Sequence, residues 1–126
     1  IIIEKEGKFA IFDVKYKNFD PRYGVKREDL FQIHTYVGQY LNSGEVVSTG
    51  FVYPILKSRY KKYCDEGFLK DGKPYCHEKF SIGNKTIDFY IMFLIVPEDE
   101  DFKSFHSLFS TSNQAFQKEI SNIIRF

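Results

Sequence analysis

The sequence has almost no net charge. Lys and Arg total 18 against 17 Asp and Glu, leaving a formal +1, so a global basic field that would gather nucleic acid is excluded and any such charge has to be local. Cysteine is scarce, with two in 126 residues. That is too few for a disulfide framework and, with no secretory signal at the N-terminus, fits a reducing cytoplasm. Long apolar runs are lacking too. The longest, residues 89–96, is strand-sized, whereas a membrane helix needs roughly 18 to 20 apolar residues. The sequence has no glycine-rich nucleotide loop of the Walker type, no internal repeat and no low-complexity tract. It begins at Ile1 rather than at a methionine, which points to a piece or processed product of a longer chain.

Apolar and aromatic residues are plentiful: 43% of the chain is hydrophobic, with 14 Phe and 9 Tyr, enough to build a core at the size of one ordinary domain. Residues 1–4 and 9–16 are rich in β-branched and aromatic side chains and flank Lys5-Glu6-Gly7-Lys8, which predicts a hairpin. An exposed loop follows over 18–26, carrying Asp20-Pro21 and Gly24. Residues 27–41 then repeat Leu30, Ile33, Val37 and Leu41 at helical spacing, with Glu28 and Asp29 in the first turn and Asn42-Ser43-Gly44 as the stop. Residues 46–56 predict a strand interrupted at Gly50 and weakened at Pro54, and its position after a helix suggests a crossover connection.

The segment 57–79 is the least regular, predicting a short helix that gives way to a loop around Asp71-Gly72-Lys73-Pro74. Residues 79–82 and 86–96, joined by Gly83-Asn84-Lys85, predict a second hairpin whose later strand is nearly all apolar and hence central. From 99 to 126 a helix is expected, with Phe102, Phe105, Phe109, Phe116, Ile120 and Ile123 on its buried side and a break near 110–113.

Side chains alternate along a strand, so Phe9, Ile11, Asp13 and Lys15 share one face and Ala10, Phe12, Val14 and Tyr16 the other. A carboxylate and an amine two residues apart can together hold a hard divalent cation and handle a scissile phosphate or the attacking water. The bare tripeptide is equally the mark of a strand leaving the core.

In this setting the sequence resembles the PD-(D/E)xK nuclease superfamily. Phe12-Asp13-Val14-Lys15-Tyr16-Lys17 is similar to the Asp-Ala-Lys-Tyr-Lys form of McrC-like restriction subunits, Gln32-Ile33-His34-Thr35-Tyr36 resembles the Gln-x-x-x-Tyr signature of RecB-type members, and Phe51-Val52-Tyr53-Pro54 resembles a hydrophobic Tyr-Pro strand end. Spacing by four puts Gln32 and Tyr36 on one helical face. The resemblance implies a restriction-endonuclease-like α/β core. It would be a mixed β-sheet with an N-terminal hairpin, a crossover helix and further strands, flanked by helices, with an upstream helix and part of the first strand lying ahead of Ile1. One domain over 1–126 is expected, with the metal-site core in 1–56 and C-terminal strands and helices in 57–126.

The family's first acid, usually the Asp of a Pro-Asp pair, is the departure. A turn centred between Glu6 and Gly7 sets Glu4 opposite Phe9 and Ile1 opposite Phe12, so the partner of Asp13 would immediately precede Ile1. Glu4, near the turn, is a poor substitute. The resemblance implies that Asp13, the Val14 carbonyl and that acid hold Mg2+ or Mn2+. Lys15 would orient or deprotonate the water and offset transition-state charge, Gln32 would hydrogen-bond within the site, and Tyr36 would buttress it or touch DNA. The implied reaction is phosphodiester hydrolysis in DNA within a modification-dependent restriction system, and the implied partner is an AAA+ GTPase motor subunit. As it stands the chain is expected to bind metal poorly and to have little or no activity. The alternatives are a non-catalytic DNA-binding or assembly module and another PD-(D/E)xK repair or transposition nuclease.

Around this stretch, Lys17, Arg22, Lys26 and Arg27 either grip phosphates or form a solvated loop. His34 reads as a packed or surface histidine rather than a catalytic one. Cys64, Cys76 and His77 do not have a usual zinc spacing, and no fourth ligand is evident, so reduced cysteines are expected. The basic and aromatic run 57–63 suits either a nucleic-acid track or a snorkelling helix, and the aromatics of 102–126 suit core or a subunit interface.

Overall fold

The computed structural model describes residues 1–42, 44–96 and 120. Strands β1 (Ile2–Lys5) and β2 (Lys8–Val14) form the expected hairpin, pairing Ile2 with Ile11 through Lys5 with Lys8. The two loop residues have positive φ, 53° at Glu6 and 79° at Gly7, the pattern of a type I′ turn whose twist matches that of its strands. Helix α1 (Arg27–Tyr40) crosses over to β3 (Glu45–Leu56), which lies parallel to β2, as a connection containing a helix permits. Helix α2 (Lys57–Asp65) follows directly, then β4 (Tyr75–Ile82) and β5 (Lys85–Val96).

The sheet has five strands in the order β1-β2-β3-β5-β4, with β5 parallel to β3 and antiparallel to β4. This is a mixed α/β architecture consistent with a restriction-endonuclease-like core. Ile33 and Val37 of α1 and Tyr63 of α2 pack with Phe51, Tyr53, Phe89 and Phe93 on one face. The other face is lined by Ala10, Phe12, Val52, Tyr90 and Met92, packed with Ile120. Ile120 is helical and buried, and the rest of the helix expected over 99–126, with its aromatic series, lies outside the described residues. Among the described residues no helix is long and apolar enough to cross a membrane.

Two local expectations change. Residues 75–78, read as loop, are strand, because Tyr75 to Glu78 pair with Met92 to Phe89 along the sheet edge. Pro54 sits within an unbroken interior strand, and the register explains why. The Lys15 amide bonds the Val52 carbonyl at 2.8 Å, so the even-numbered residues of β3 point toward β2, and at Pro54 that strand has already ended at Val14. The N–H that proline lacks has no partner to lose there.

The pairing of β2 with β3 also contains a bulge. Phe9 pairs with Val46 but Ala10 pairs with Ser48, which leaves Val47 as an extra residue. Val46 and Phe51 therefore both join the helix-covered face despite their odd spacing.

Candidate functional site

Asp13 and Lys15 leave the C-terminal end of β2 on the helix-covered face, where the helical stripe of α1 meets them. The Lys15 ammonium is the hub. Its Nζ lies 2.8 Å from Asp13 Oδ2 and 3.3 Å from Asp29 Oδ1, and it donates to Gln32 Oε1 at 3.1 Å. Gln32 Nε2 in turn donates to the Tyr36 hydroxyl at 3.2 Å. Lys17 Nζ donates to Asp29 Oδ2, so Asp29 is shared by two ammonium groups. Asp13, Lys15, Gln32 and Tyr36, drawn from a strand and from a helix, thus form one connected chain.

Asp29 is the residue that the sequence reading placed only in the helix's first turn. It is buried, 8% exposed. The signal was present: Asp29, Ile33 and Val37 recur every four residues, which sets an acid on the buried stripe, and a buried acid requires a partner. Tyr53 was known only as part of a strand end. Continuing the register from Val14 with Val52 puts it beside Lys15, and its ring packs against Phe19 at 5.0 Å.

Electrostatics follow from this packing. Burial alone would lower the Lys15 pKa, but hydrogen bonding and charge from Asp13 and then Asp29 outweigh it and hold it above its usual value. Lys15 is therefore an ammonium at neutral pH, a donor and a positive charge rather than a base. Burial alone would raise Asp29, and the bonds from Lys17 and Lys15 outweigh it and hold the carboxyl below its ordinary 3.8. The Tyr53 phenol is pushed up to about 12, first by burial and then by the charges of Asp29 and Asp13, which keeps it a neutral hydroxyl beside the site.

These shifts carry a stability signature. A depressed carboxylate contributes stability above its unfolded pKa and loses it as pH falls through the folded value; a raised lysine contributes fully below its unfolded pKa and loses it as pH rises through the folded one. Asp29 and Lys15 thus predict a plateau that declines on the acid side below about 3.8 and on the alkaline side above about 10.5. Replacing Asp29 by Asn leaves two ammonium groups without their shared carboxylate and is expected to cost about 1–3 kcal/mol at pH 7. The acid limb should shrink with it. Urea melts of both proteins from about pH 2 to pH 8 check this, and an unchanged acid limb would contradict it.

The four basic residues expected at the loop separate. Lys17 turns inward to Asp29. Arg22 is clamped by Asp20, whose Oδ1 and Oδ2 accept from its side chain at 3.1 and 2.9 Å, and lies over the exposed Tyr23 ring. Lys26 is exposed at the N-terminus of α1, and Arg27 lies over the Phe31 ring. His34 packs on Phe80. Cys64 and Cys76 are free thiols packed against the helix-side core, while His77, one residue along β4, bonds Asp88 at 2.8 Å. Adjacent strand residues face opposite ways, so Cys76 and His77 do not converge on one ion. Among the described residues no group of three or more His, Cys, Asp or Glu is placed to hold a metal.

Fold and site together define an α/β protein with a restriction-endonuclease-like sheet and a carboxylate–lysine–glutamine constellation at the end of its second strand. Residues 1–54 match the family model for the McrBC 5-methylcytosine restriction system component. The matched span covers β1, β2, α1 and β3 as far as Pro54, and so includes every member of the constellation. No curated protein and no solved structure matches the chain.

Proposed function

We propose that the chain carries the nuclease site of a modification-dependent restriction system and hydrolyses phosphodiester bonds in DNA. The observation that carries the reading is the Lys15 ammonium, held by Asp13, Asp29 and Gln32 at the open end of β2. A fixed positive charge at that place can bind a phosphate oxygen, orient a water and offset the charge that develops in the transition state. Gln32 positions Lys15, and Tyr36 positions Gln32. The raised Lys15 pKa favours these roles over proton abstraction.

Mg2+ takes hard oxygen donors, keeps several waters and is held through only one or two carboxylates. The Asp13 carboxylate and the Val14 carbonyl fit that donor chemistry. The Phe12 amide bonds the Ile1 carbonyl at 2.8 Å, so even-numbered residues of β2 bond toward β1, and the Val14 carbonyl points to the same side beyond Ile1. When bound, the ion would polarise the phosphate and lower the pKa of a bound water. The restriction family suggests a GTP-driven AAA+ motor subunit as the partner that brings DNA to this site.

The register supplies the test. An aspartate joined ahead of Ile1 would stand opposite Asp13. Extending the chain by Pro-Asp is expected to produce Mg2+ binding in calorimetry and nicking of plasmid DNA, and extending it by Pro-Ala neither. Cleavage that survives both Asp13→Ala and Lys15→Ala would sink the site. One observation favours a second reading, a DNA-binding or assembly module without catalysis: both carboxylates of the constellation are already engaged by Lys15. That reading predicts DNA binding by the Pro-Asp protein with neither metal binding nor cleavage.

A further inference from the structure

A cleft of about 720 Å³ opens between the loop after β2 and one side of α2, lined among others by Phe19, Arg22, Leu56, Arg59, Lys62 and Tyr63. Its walls are set by specific bonds. The Tyr63 hydroxyl donates to the Phe19 carbonyl at 2.8 Å, tying loop to helix, and Asp20 accepts from the Arg22 amide at 3.0 Å as well as from its side chain. The cleft adjoins the constellation, because Phe19 on its wall packs against Tyr53, the neighbour of Lys15 in the sheet.

Charge decides what such a cleft takes. Its cations are Arg22, Arg59 and Lys62 and its anions Asp20 and Glu66. Asp20 is occupied with Arg22, and Glu66 reaches Lys62 only at 4.0 Å, with both side chains more than half exposed, a pairing worth little in water. Arg59 makes no ion pair with a described residue. The first turn of α2 contains no acid, and no side chain caps it. Five charged residues on the lining make an apolar ligand a poor fit.

We infer that this cleft seats a backbone phosphate of the DNA strand beside the site, with Arg59 and Lys62 as its contacts. The inference rests on the nucleic-acid reading above and adds a binding locus to it. The phosphate is held away from the scissile position, so the contact positions the strand and carries no sequence information. Its loss should appear in affinity and salt dependence, not in the chemistry.

Binding of a fluorescent 20-base-pair duplex, followed by anisotropy without Mg2+ at several salt concentrations, tests it. Arg59→Ala with Lys62→Ala is expected to weaken binding about tenfold and to reduce the salt slope by about 1 to 2. Lys57→Ala with Lys61→Ala makes the same change in charge on the same helix but off the cleft and should do distinctly less. All four residues are exposed, so the thermal melts should match. Equal losses in the two pairs, or no loss in the first, would overturn the cleft and leave the nuclease reading intact. Failure of the unsubstituted protein to bind duplex would overturn the cleft contact as well, while the nuclease reading stands or falls separately on cleavage by the Pro-Asp-extended protein.

Discussion

Replacing Lys15 with Met is expected to reduce cleavage by the Pro-Asp-extended protein about 10²- to 10³-fold while leaving Mg2+ affinity unchanged or higher. Lys15 is not a donor to a cation. It is a charge held 2.8 Å from the Asp13 carboxylate, so removing it frees Asp13 from a competing partner and removes the group that would meet the phosphate. The expected loss is that of one well-placed donor to the charge developing in the transition state. Asp13→Asn should behave differently, losing metal binding and cleavage together. Calorimetry with Mg2+ alongside a single-turnover cleavage assay separates the two. Equal losses of affinity in both variants would show that Lys15 acts by holding Asp13 in place rather than by its own charge. Gln32→Ala, which removes one bond to Lys15, should lie between wild type and Lys15→Met.

The second large effect is structural. Gly50 lies in β3 opposite Phe12 on one side and Tyr90 on the other, and the Phe12 and Tyr90 rings approach to 6.4 Å. Two strands apart, they come that near because no side chain stands between them. A Cβ at Gly50 would lie 1.9 Å from the Tyr90 carbonyl oxygen and 2.8 Å from its carbon. Those are backbone atoms of the neighbouring strand and cannot turn aside. Gly50→Ala should therefore force β3 and β5 apart at the middle of their pairing and cost about 3 kcal/mol or more, a large part of the roughly 5–15 kcal/mol of a typical domain. Gly38 in α1 is the control, with nothing within 4 Å of its would-be Cβ. Gly38→Ala should raise stability by about 0.5–1 kcal/mol. Urea denaturation of the two variants gives the comparison, and similar midpoints would refute the close-approach argument.

Much of the site was legible because its geometry is local. The Glu6-Gly7 turn and the alternation of β2 place Asp13 and Lys15 on one face, and the register observed between β1 and β2 is the one the turn implies. The same holds for the stripe of α1, whose Ile33 and Val37 are buried as their spacing predicts, with Gln32 and Tyr36 on the exposed side. Strand alternation and helical pitch are properties of consecutive residues, so a single sequence expresses them.

What faces what across a crossover is not local, and only the tertiary structure decided it. Asp29 became the shared partner of Lys15 and Lys17 because α1 docks over the end of β2, and the same contact draws the still exposed Lys17 side chain onto Asp29. Val47 is a bulge only in relation to β2, and Pro54 is tolerated only because β2 has ended by then. Tyr75 to Glu78 are strand only because β5 offers them an edge. The sequence by itself determined the hairpin, the amphipathic helix and the pairing of an acid with a lysine on one strand face, since each follows from spacing along the chain. Tertiary packing decided the lysine's further partners, Asp29 and Gln32, because they lie on α1, a separate element that only the fold brings over the end of β2.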